Sequence, residues 1–254
     1  MIDFVQKLKS GDEVITAWSG IPDFMVCETL LIAGYDTVTI DMQHGSHTLE
    51  STIACVTSAK AFGKRLVSRI PVGDWGLASR LLDVGAAAII APMINTVEDA
   101  QAFAGAMKYP PIGARSWGPT RVMALEEEQD GNTFLKRANS NTLSIAMIET
   151  PQALDNLDEI LGVPGIDGIF VGPSDLSVTF SGGAGVAPFN DQTMPVIEDI
   201  AKRVTAAGKI PCIFINAHRE IAIARQLGYK LMAYGIDSNF VADGARAFLS
   251  EAQS

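Results

Sequence analysis

Eight short apolar runs recur along the 254 residues, and a segment of helical patterning follows nearly every one. The runs are Val14–Trp18, Thr37–Asp41, Leu66–Ile70, Ala87–Ala91, Leu143–Glu149, Gly168–Gly172, Ile210–Ile215 and Leu231–Gly235. Runs that are apolar throughout suit strands covered on both faces, the condition of a parallel sheet wrapped in helices. Between them the patterning predicts helices over Pro22–Ala33, Thr48–Phe62, Asp74–Val84, Val97–Met107, Pro151–Leu161, Met194–Ala207 and His218–Leu227. Strict alternation of eight such units gives an α/β fold, a single (β/α)8 TIM barrel. No linker-like stretch divides the chain, so residues 1–254 are expected to form one domain.

Punctuation supports the pattern. Pro22 and Pro151 are placed at first-turn positions, where a missing N–H costs nothing. Gly34, Gly63, Gly85, Gly162, Gly208 and Gly228 are placed as left-handed caps where helices return to strands. The segment from Met1 to Lys9 reads as a short amphipathic helix closing the bottom of the barrel. The stretch from Lys108 to Asn141 is longer than a barrel connection needs. It is expected at the C-terminal face, either as a substrate-covering loop or as a surface excursion. The Gly-rich stretch from Ser181 to Asn190 lacks the Lys-Ser/Thr of a phosphate loop.

A formal net charge of −10 argues against nucleic acid or an anionic membrane as partner. The longest apolar stretch, Val84 to Met93, is far short of a membrane span. Cys27, Cys55 and Cys212 show no metal-ligand spacing and read as reduced thiols. A cytoplasmic protein is expected.

Barrel active sites form at the C-terminal ends of the strands. There the sequence places Trp18, Ser19, Asp41, Gln43, His44, Arg69, Glu149, Ser174, Asp175, Asn216 and Asp237. Glu149 and Asp175, one strand-helix repeat apart, give two oxygen ligands for a hard divalent cation. Either could instead cap a helix. Arg69 lies inside an apolar strand and needs an anion, which a substrate oxygen or an ion pair with Asp41 or Glu149 would supply. His44 follows Asp41 by three residues, close enough for the carboxylate to orient the imidazole as a general base. His47 reads as surface or supporting, and His218 as a helix-start or solvent residue. No lysine falls at the C-terminal end of a strand, which disfavours Schiff-base chemistry.

The ordered series Asp41-Met42-Gln43-His44-Gly45, Ser68-Arg69, Leu81-Leu82-Asp83-Val84-Gly85-Ala86, Tyr109-Pro110-Pro111-x-Gly113-x-Arg115, Ile148-Glu149-Thr150 and Gly168 to Ser177 resembles the HpcH/HpaI aldolases, class II metal-dependent pyruvate aldolases. The resemblance spans nearly the whole chain. It implies Glu149 and Asp175 as metal ligands for Mg2+, Mn2+ or Co2+, and Arg69 as the contact to the pyruvyl oxygen. It implies His44 with Asp41 as the catalytic dyad, and backbone N–H groups around Gly172 to Asp175, the turn that includes Pro173 and Ser174, about the substrate carboxylate. It further implies Asp83 at a subunit boundary and a hexamer, a trimer of dimers with an exchanged C-terminal helix. Where the family carries glutamine, this chain has Met147, whose thioether cannot donate a hydrogen bond. Trp18, Met147 and Phe214 are expected along the substrate, with Trp117 and Val122 near the aldehyde.

The expected reaction is reversible cleavage of a 4-hydroxy-2-oxo acid to pyruvate, or a close 2-oxo acid, and an aldehyde. A lyase acting on an acyl-CoA or phosphoenolpyruvate, or a non-catalytic 2-oxo acid-binding protein, would use the same frame.

Overall fold

The computed structural model describes residues 3–253. Met1 and Ile2, at the start of the expected N-terminal helix, lie outside that range. In chain order the elements are α1 (Phe4–Lys9), β1 (Val14–Ser19), α2 (Phe24–Ile32), β2 (Thr37–Asp41), α3 (Leu49–Ala61), β3 (Val67–Arg69) and α4 (Trp75–Val84). Then come β4 (Ala88–Ala91), α5 (Val97–Met107), α6 (Thr120–Leu125), α7 (Gly131–Ala138), β5 (Leu143–Ile148), α8 (Pro151–Asp155) and α9 (Leu157–Leu161). The chain ends with β6 (Gly168–Val171), α10 (Pro173–Phe180), α11 (Thr193–Ala206), β7 (Ile210–Ile215), α12 (His218–Gln226), β8 (Leu231–Ile236) and α13 (Asp237–Gln253).

The strands pair in sequence order, all parallel, and β8 returns to β1 to close the barrel. Alternate residues point inward, as the strand period of two requires. The interior is filled by Val14, Val67, Ala88, Leu143, Ile210 and Leu231 near the base, and by Trp18, Met147 and Phe170 near the mouth. Phe4, Val5 and Leu8 of α1 join the same cluster, so this helix plugs the N-terminal end as its apolar spacing suggests. The outward faces of the strands pack on the helix shell through residues such as Ile89, Ile148, Ile169 and Ile213.

Four expectations need correction. Pro22 precedes the cap of α2; Asp23 is the N-cap and accepts from the Met25 N–H at 2.7 Å. Gly162 is right-handed, and the left-handed turn before β6 is taken by Gly165 at φ 92°. The predicted Pro151–Leu161 helix is two short helices that meet at Asn156. The segment between Lys108 and Asn141 follows α5 and enters β5, so it lies at the N-terminal face, opposite the expected side. It folds into α6 and α7, with Tyr109, Val122, Phe134 and Ala138 forming their own small core. Trp117 packs against Tyr109 in a tilted contact and against Phe134 edge-on, with ring centres 5.4 and 6.1 Å apart. Neither Trp117 nor Val122 lines the mouth of the barrel.

Candidate active site

At the C-terminal ends of the strands a cavity of about 410 Å³ opens between Trp18, Asp41, His44, Arg69, Met147, Phe170, Gly172, Ser174, Asp175 and Phe214, among others. Most of the sequence-chosen residues therefore converge, while Glu149 lies buried just behind Gly172 and does not line the cavity. A larger cleft of about 1100 Å³ lies at the N-terminal face, between Lys9, Lys202, Lys209 and Lys230. It contains none of the converging groups, and the chemistry belongs to the smaller cavity.

Parallel pairing sets Asp41 beside Arg69 in register across β2 and β3. Asp41 Oδ1 accepts from Arg69 Nε at 2.9 Å and Oδ2 from Nη2 at 2.7 Å, a two-pronged pair. Trp18 Nε1 donates to Asp41 Oδ2 at 3.1 Å, and the guanidinium carbon lies 4.8 Å from the centre of the Trp18 ring. Burial alone would raise the Asp41 pKa, but the Arg69 guanidinium and the indole N–H together hold it below the usual carboxylate range. The ion pair leaves Arg69 Nη1 without a protein partner among the described residues, so it is free to meet an anion in the cavity.

Asp41 does not hold the His44 imidazole. It accepts instead from the backbone N–H groups of Gln43 at 3.0 Å and His44 at 3.3 Å, capping the turn after β2. With both oxygens committed to Arg69, Trp18 and this turn, no lone pair remains for the ring. The His44 side chain is exposed at the cavity edge and makes no hydrogen bond among the described residues.

Glu149 follows β5 and is 3% exposed. It does not cap α8, because Thr150 does so through a bond from the Ala153 N–H. Glu149 Oε2 accepts from the Met93 N–H at 2.9 Å. Asp175 stands in the first turn of α10, whose N-cap Gly172 makes no side-chain capping bond. Burial, reinforced by the neighbouring Asp175 carboxylate, pushes the Glu149 carboxyl up to about 7, against the pull of the Met93 N–H and Arg69. A β-carbon on Gly172 would lie 2.8 Å from Glu149 Oε1, so the bare glycine is what lets β6 approach this carboxylate. Two crowded carboxylates, one of them desolvated, form a donor set that fits a hard divalent cation. Among the described residues no group of three or more His, Cys, Asp or Glu side chains is placed to hold a metal ion by itself. Water or substrate oxygens would complete the shell.

Three further residues support the mouth. Asp237, 1% exposed, accepts from Ser19 Oγ at 2.8 Å and from the N–H groups of Gly20, Ile21 and Ser238. Ser19 Oγ also meets His47 Nε2 at 3.0 Å, and His47 Nδ1 meets Ser51 Oγ at 3.0 Å. Of the two places the sequence offered it, His47 takes the buried supporting one, and burial holds its pKa below the usual histidine value. No spacing in the sequence announces this chain of contacts. Asp83, by contrast, lies in the last turn of α4, toward the N-terminal face, where it pairs with Arg115.

The model of the HpcH/HpaI aldolase/citrate lyase family matches residues 16–244. The chain belongs to that family. It is 34% identical to a hydroxypyruvate/pyruvate aldolase of Roseovarius nubinhibens, over 98% of this chain and 95% of that protein. It is 32% identical to a 4-hydroxy-2-oxo-heptane-1,7-dioate aldolase of Klebsiella pneumoniae, over 96% of this chain and 91% of that protein. The crystal structure of an HpcH/HpaI aldolase from Desulfitobacterium hafniense has the same fold, with a TM-score of 0.89 at 24% identity, covering 98% of this chain and 97% of that one.

Proposed function

We propose that this family member is a metal-dependent carbon–carbon lyase that reversibly splits a 4-hydroxy-2-oxo acid into pyruvate, or a close 2-oxo acid, and an aldehyde. The observation that carries the reading is the meeting of Asp175, Arg69 and His44 in one cavity, with the buried Glu149 carboxylate directly behind Gly172 and beside Asp175. The aldolase names of relatives at 32 and 34% identity point the same way.

Glu149 and Asp175 would hold Mg2+, Mn2+ or Co2+, all of which accept carboxylate oxygens. Once bound, the cation supplies Lewis-acid polarisation of the 2-oxo group. The substrate carboxylate meets the free N–H groups of Ser174 and Asp175 in the first turn of α10, beside Gly172 and Pro173, at the positive end of the helix. Arg69, held still by Asp41 and Trp18, directs Nη1 at the 2-oxo oxygen and stabilises the charge that develops when pyruvate leaves as its enolate. His44 removes the C4 hydroxyl proton in cleavage and takes a methyl proton from pyruvate in synthesis. Asp41 acts in this scheme by holding Arg69. Met147, Phe170, Trp18 and Phe214 make an apolar floor that excludes water.

The acyl-CoA and phosphoenolpyruvate readings need cationic groups for phosphate. Among the described residues Arg69 is the only arginine or lysine lining the cavity, and it is already paired.

The assembly is part of the same proposal. Of the 17 residues of α13 only Asp237 is buried, while Val241, Phe248 and Leu249 are 60%, 76% and 58% exposed. Such a helix suits exchange with a second copy in a hexamer. Asp83, paired with Arg115 and away from this copy's cavity, is assigned in this proposal to the boundary with a neighbouring copy. Three buried free cysteines suit a reducing cytoplasm. Among the described residues no helix is long and apolar enough to cross a membrane.

Release of pyruvate from a synthetic 4-hydroxy-2-oxo acid should stop with EDTA and return with any of the three cations. Release indifferent to EDTA would overturn the metal-dependent reading.

A further inference from the structure

Among the described residues the His44 side chain makes no hydrogen bond, so the backbone that carries it decides where the imidazole can reach. That backbone, the turn from Met42 to His47, is fixed at both ends. At the front, Asp41 Oδ1 accepts the Gln43 and His44 N–H groups at 3.0 and 3.3 Å. At the back, Gly45 lies against the loop after β1, where an added β-carbon would come within 2.9 Å of Gly20 Cα. The Ser46 N–H donates to the Gly20 carbonyl at 2.9 Å. The turn closes on His47, whose ring is 6% exposed and fully engaged.

A proton count around that ring fixes its form. Asp237 accepts three backbone N–H groups, from Gly20, Ile21 and Ser238, as a carboxylate with no proton of its own does. The 2.8 Å contact between Ser19 Oγ and Asp237 Oδ2 therefore uses the single hydroxyl proton of Ser19. His47 Nε2, 3.0 Å from the same Oγ, must then be a donor. The Ile21 carbonyl beside the ring can only accept, which favours the same tautomer. Burial keeps the ring neutral, so Nδ1 is a bare acceptor and Ser51 Oγ donates to it at 3.0 Å. Ser51 Oγ in turn accepts the Thr48 N–H at 2.9 Å in the capping box of α3. One ring thus ties β1 to the start of α3. This Ser–His–Asp grouping is no nucleophilic triad, because Ser19 is fully buried and its proton belongs to Asp237.

We propose that His47 is a positioning residue: as the Nε2–H tautomer it holds the turn against Ser19 and Ser51 and so aims the His44 imidazole into the cavity. The inference rests on the aldolase reading, in which His44 moves the proton, and adds the residue that orients it. Without the His47 ring the back of the turn keeps only the Ser46 bond and the Gly45 contact. A base displaced by about 1 Å loses much of its rate, up to about a hundredfold.

The test measures pyruvate methyl exchange with Mn2+ in wild type, His47→Leu and His47→Gln. Leucine fills the space without a donor or acceptor, whereas glutamine returns an amide N–H to the neighbourhood of Ser19 Oγ. His47→Leu should lose about ten- to a hundredfold in kcat. Its KM for pyruvate and its Mn2+ affinity should stay near wild type, because Glu149, Asp175 and Arg69 set them. His47→Gln should recover most of the loss. His47→Asn, too short to reach Ser19, should repeat it and stands in where leucine does not fold. Oxaloacetate supplies the control. When its C3–C4 bond breaks, CO2 leaves and the bond electrons become the same pyruvate enolate, with no proton taken by a base. CO2 release should therefore be nearly equal in all these proteins. An unchanged kcat in the leucine and asparagine variants, or a loss that CO2 release shares in full, would overturn the proposal. Either result beside normal wild-type exchange removes the role of His47 alone. Absence of exchange in wild type removes the aldolase reading and this role with it.

Discussion

Asp41 and Arg69 face each other across adjacent parallel strands and share two hydrogen bonds, at 2.9 and 2.7 Å, inside a barrel whose other layers are largely apolar. The pair presents a positive charge to the cavity while fixing its direction. Replacing Asp41 by alanine leaves the guanidinium without its partner and removes the acceptor for Trp18. The Asp41→Ala protein should lose about 3–5 kcal/mol of stability, as broken buried pairs do, measurable by urea denaturation.

Arg69→Ala breaks the same pair, with a comparable cost in stability, and acts on chemistry as well. Loss of one preorganised donor to a developing oxyanion costs about 10²–10³ in rate. Pyruvate methyl exchange should fall by that factor while Mn2+ affinity, set by Glu149 and Asp175, stays near wild type. Calorimetric titration with Mn2+ checks the second half, and ordinary exchange in this variant would contradict the role.

Gly172→Ala tests the metal centre without touching a ligand. The backbone there has φ −98°, which any residue adopts, so the cost is steric. The added carbon would press on Glu149 Oε1 from 2.8 Å and displace the carboxylate. The expected outcome is a cooperative, folded protein by circular dichroism whose Mn2+ affinity is reduced at least tenfold.

The Glu149 carboxyl, ordinarily near 4.5 and pushed up to about 7 in the metal-free fold, makes two pH dependences. Protons compete with the cation, so Mn2+ affinity should fall as pH drops below about 7, approaching tenfold per unit. Stability moves the other way. A carboxyl whose pKa is raised by folding contributes its full stability below the unfolded value and loses it as pH climbs through the folded value. The metal-free protein should therefore lose about 3 kcal/mol between pH 4.5 and pH 7 and above from this group. Added Mn2+ should restore stability above pH 7. Thermal melts across pH, with and without the cation, decide it.

Much of this site was legible because barrel chemistry collects at strand ends. Glu149, Asp175 and Arg69 each announce themselves as a charge closing or interrupting an apolar run. The partner of Asp41 was half legible: the sequence offered an ion pair of Arg69 with Asp41 or Glu149, and also offered His44. A His three residues downstream looks like a partner, yet the β2–β3 register puts Arg69 directly opposite, and register is a property of two strands together. The Lys108 to Asn141 segment was misplaced although a signal was available. It follows the predicted helix Val97–Met107, and a connection leaving a barrel helix returns to the N-terminal face. The burial of His47 had no such signal, since Ser19 and Asp237 come from distant parts of the chain and only Ser51 is a near neighbour.

Asp237 joins the first residue of α13 to the loop after β1. Asp237→Ala removes one acceptor for a hydroxyl and three backbone N–H groups. Each buried donor left unmatched costs about 1–3 kcal/mol, so the variant should melt several degrees lower. A melting temperature equal to wild type would show that the network contributes nothing to the mouth.

The most direct test of the central claim is exchange of the pyruvate methyl protons with deuterium, followed by NMR without any aldehyde present. Wild type with Mg2+, Mn2+ or Co2+ should exchange the methyl group, lose the activity in EDTA, and keep it after borohydride treatment in the presence of pyruvate. Absence of exchange with every one of these cations, or inactivation by borohydride and pyruvate together, would contradict a metal-dependent enolate chemistry built on Glu149, Asp175, Arg69 and His44.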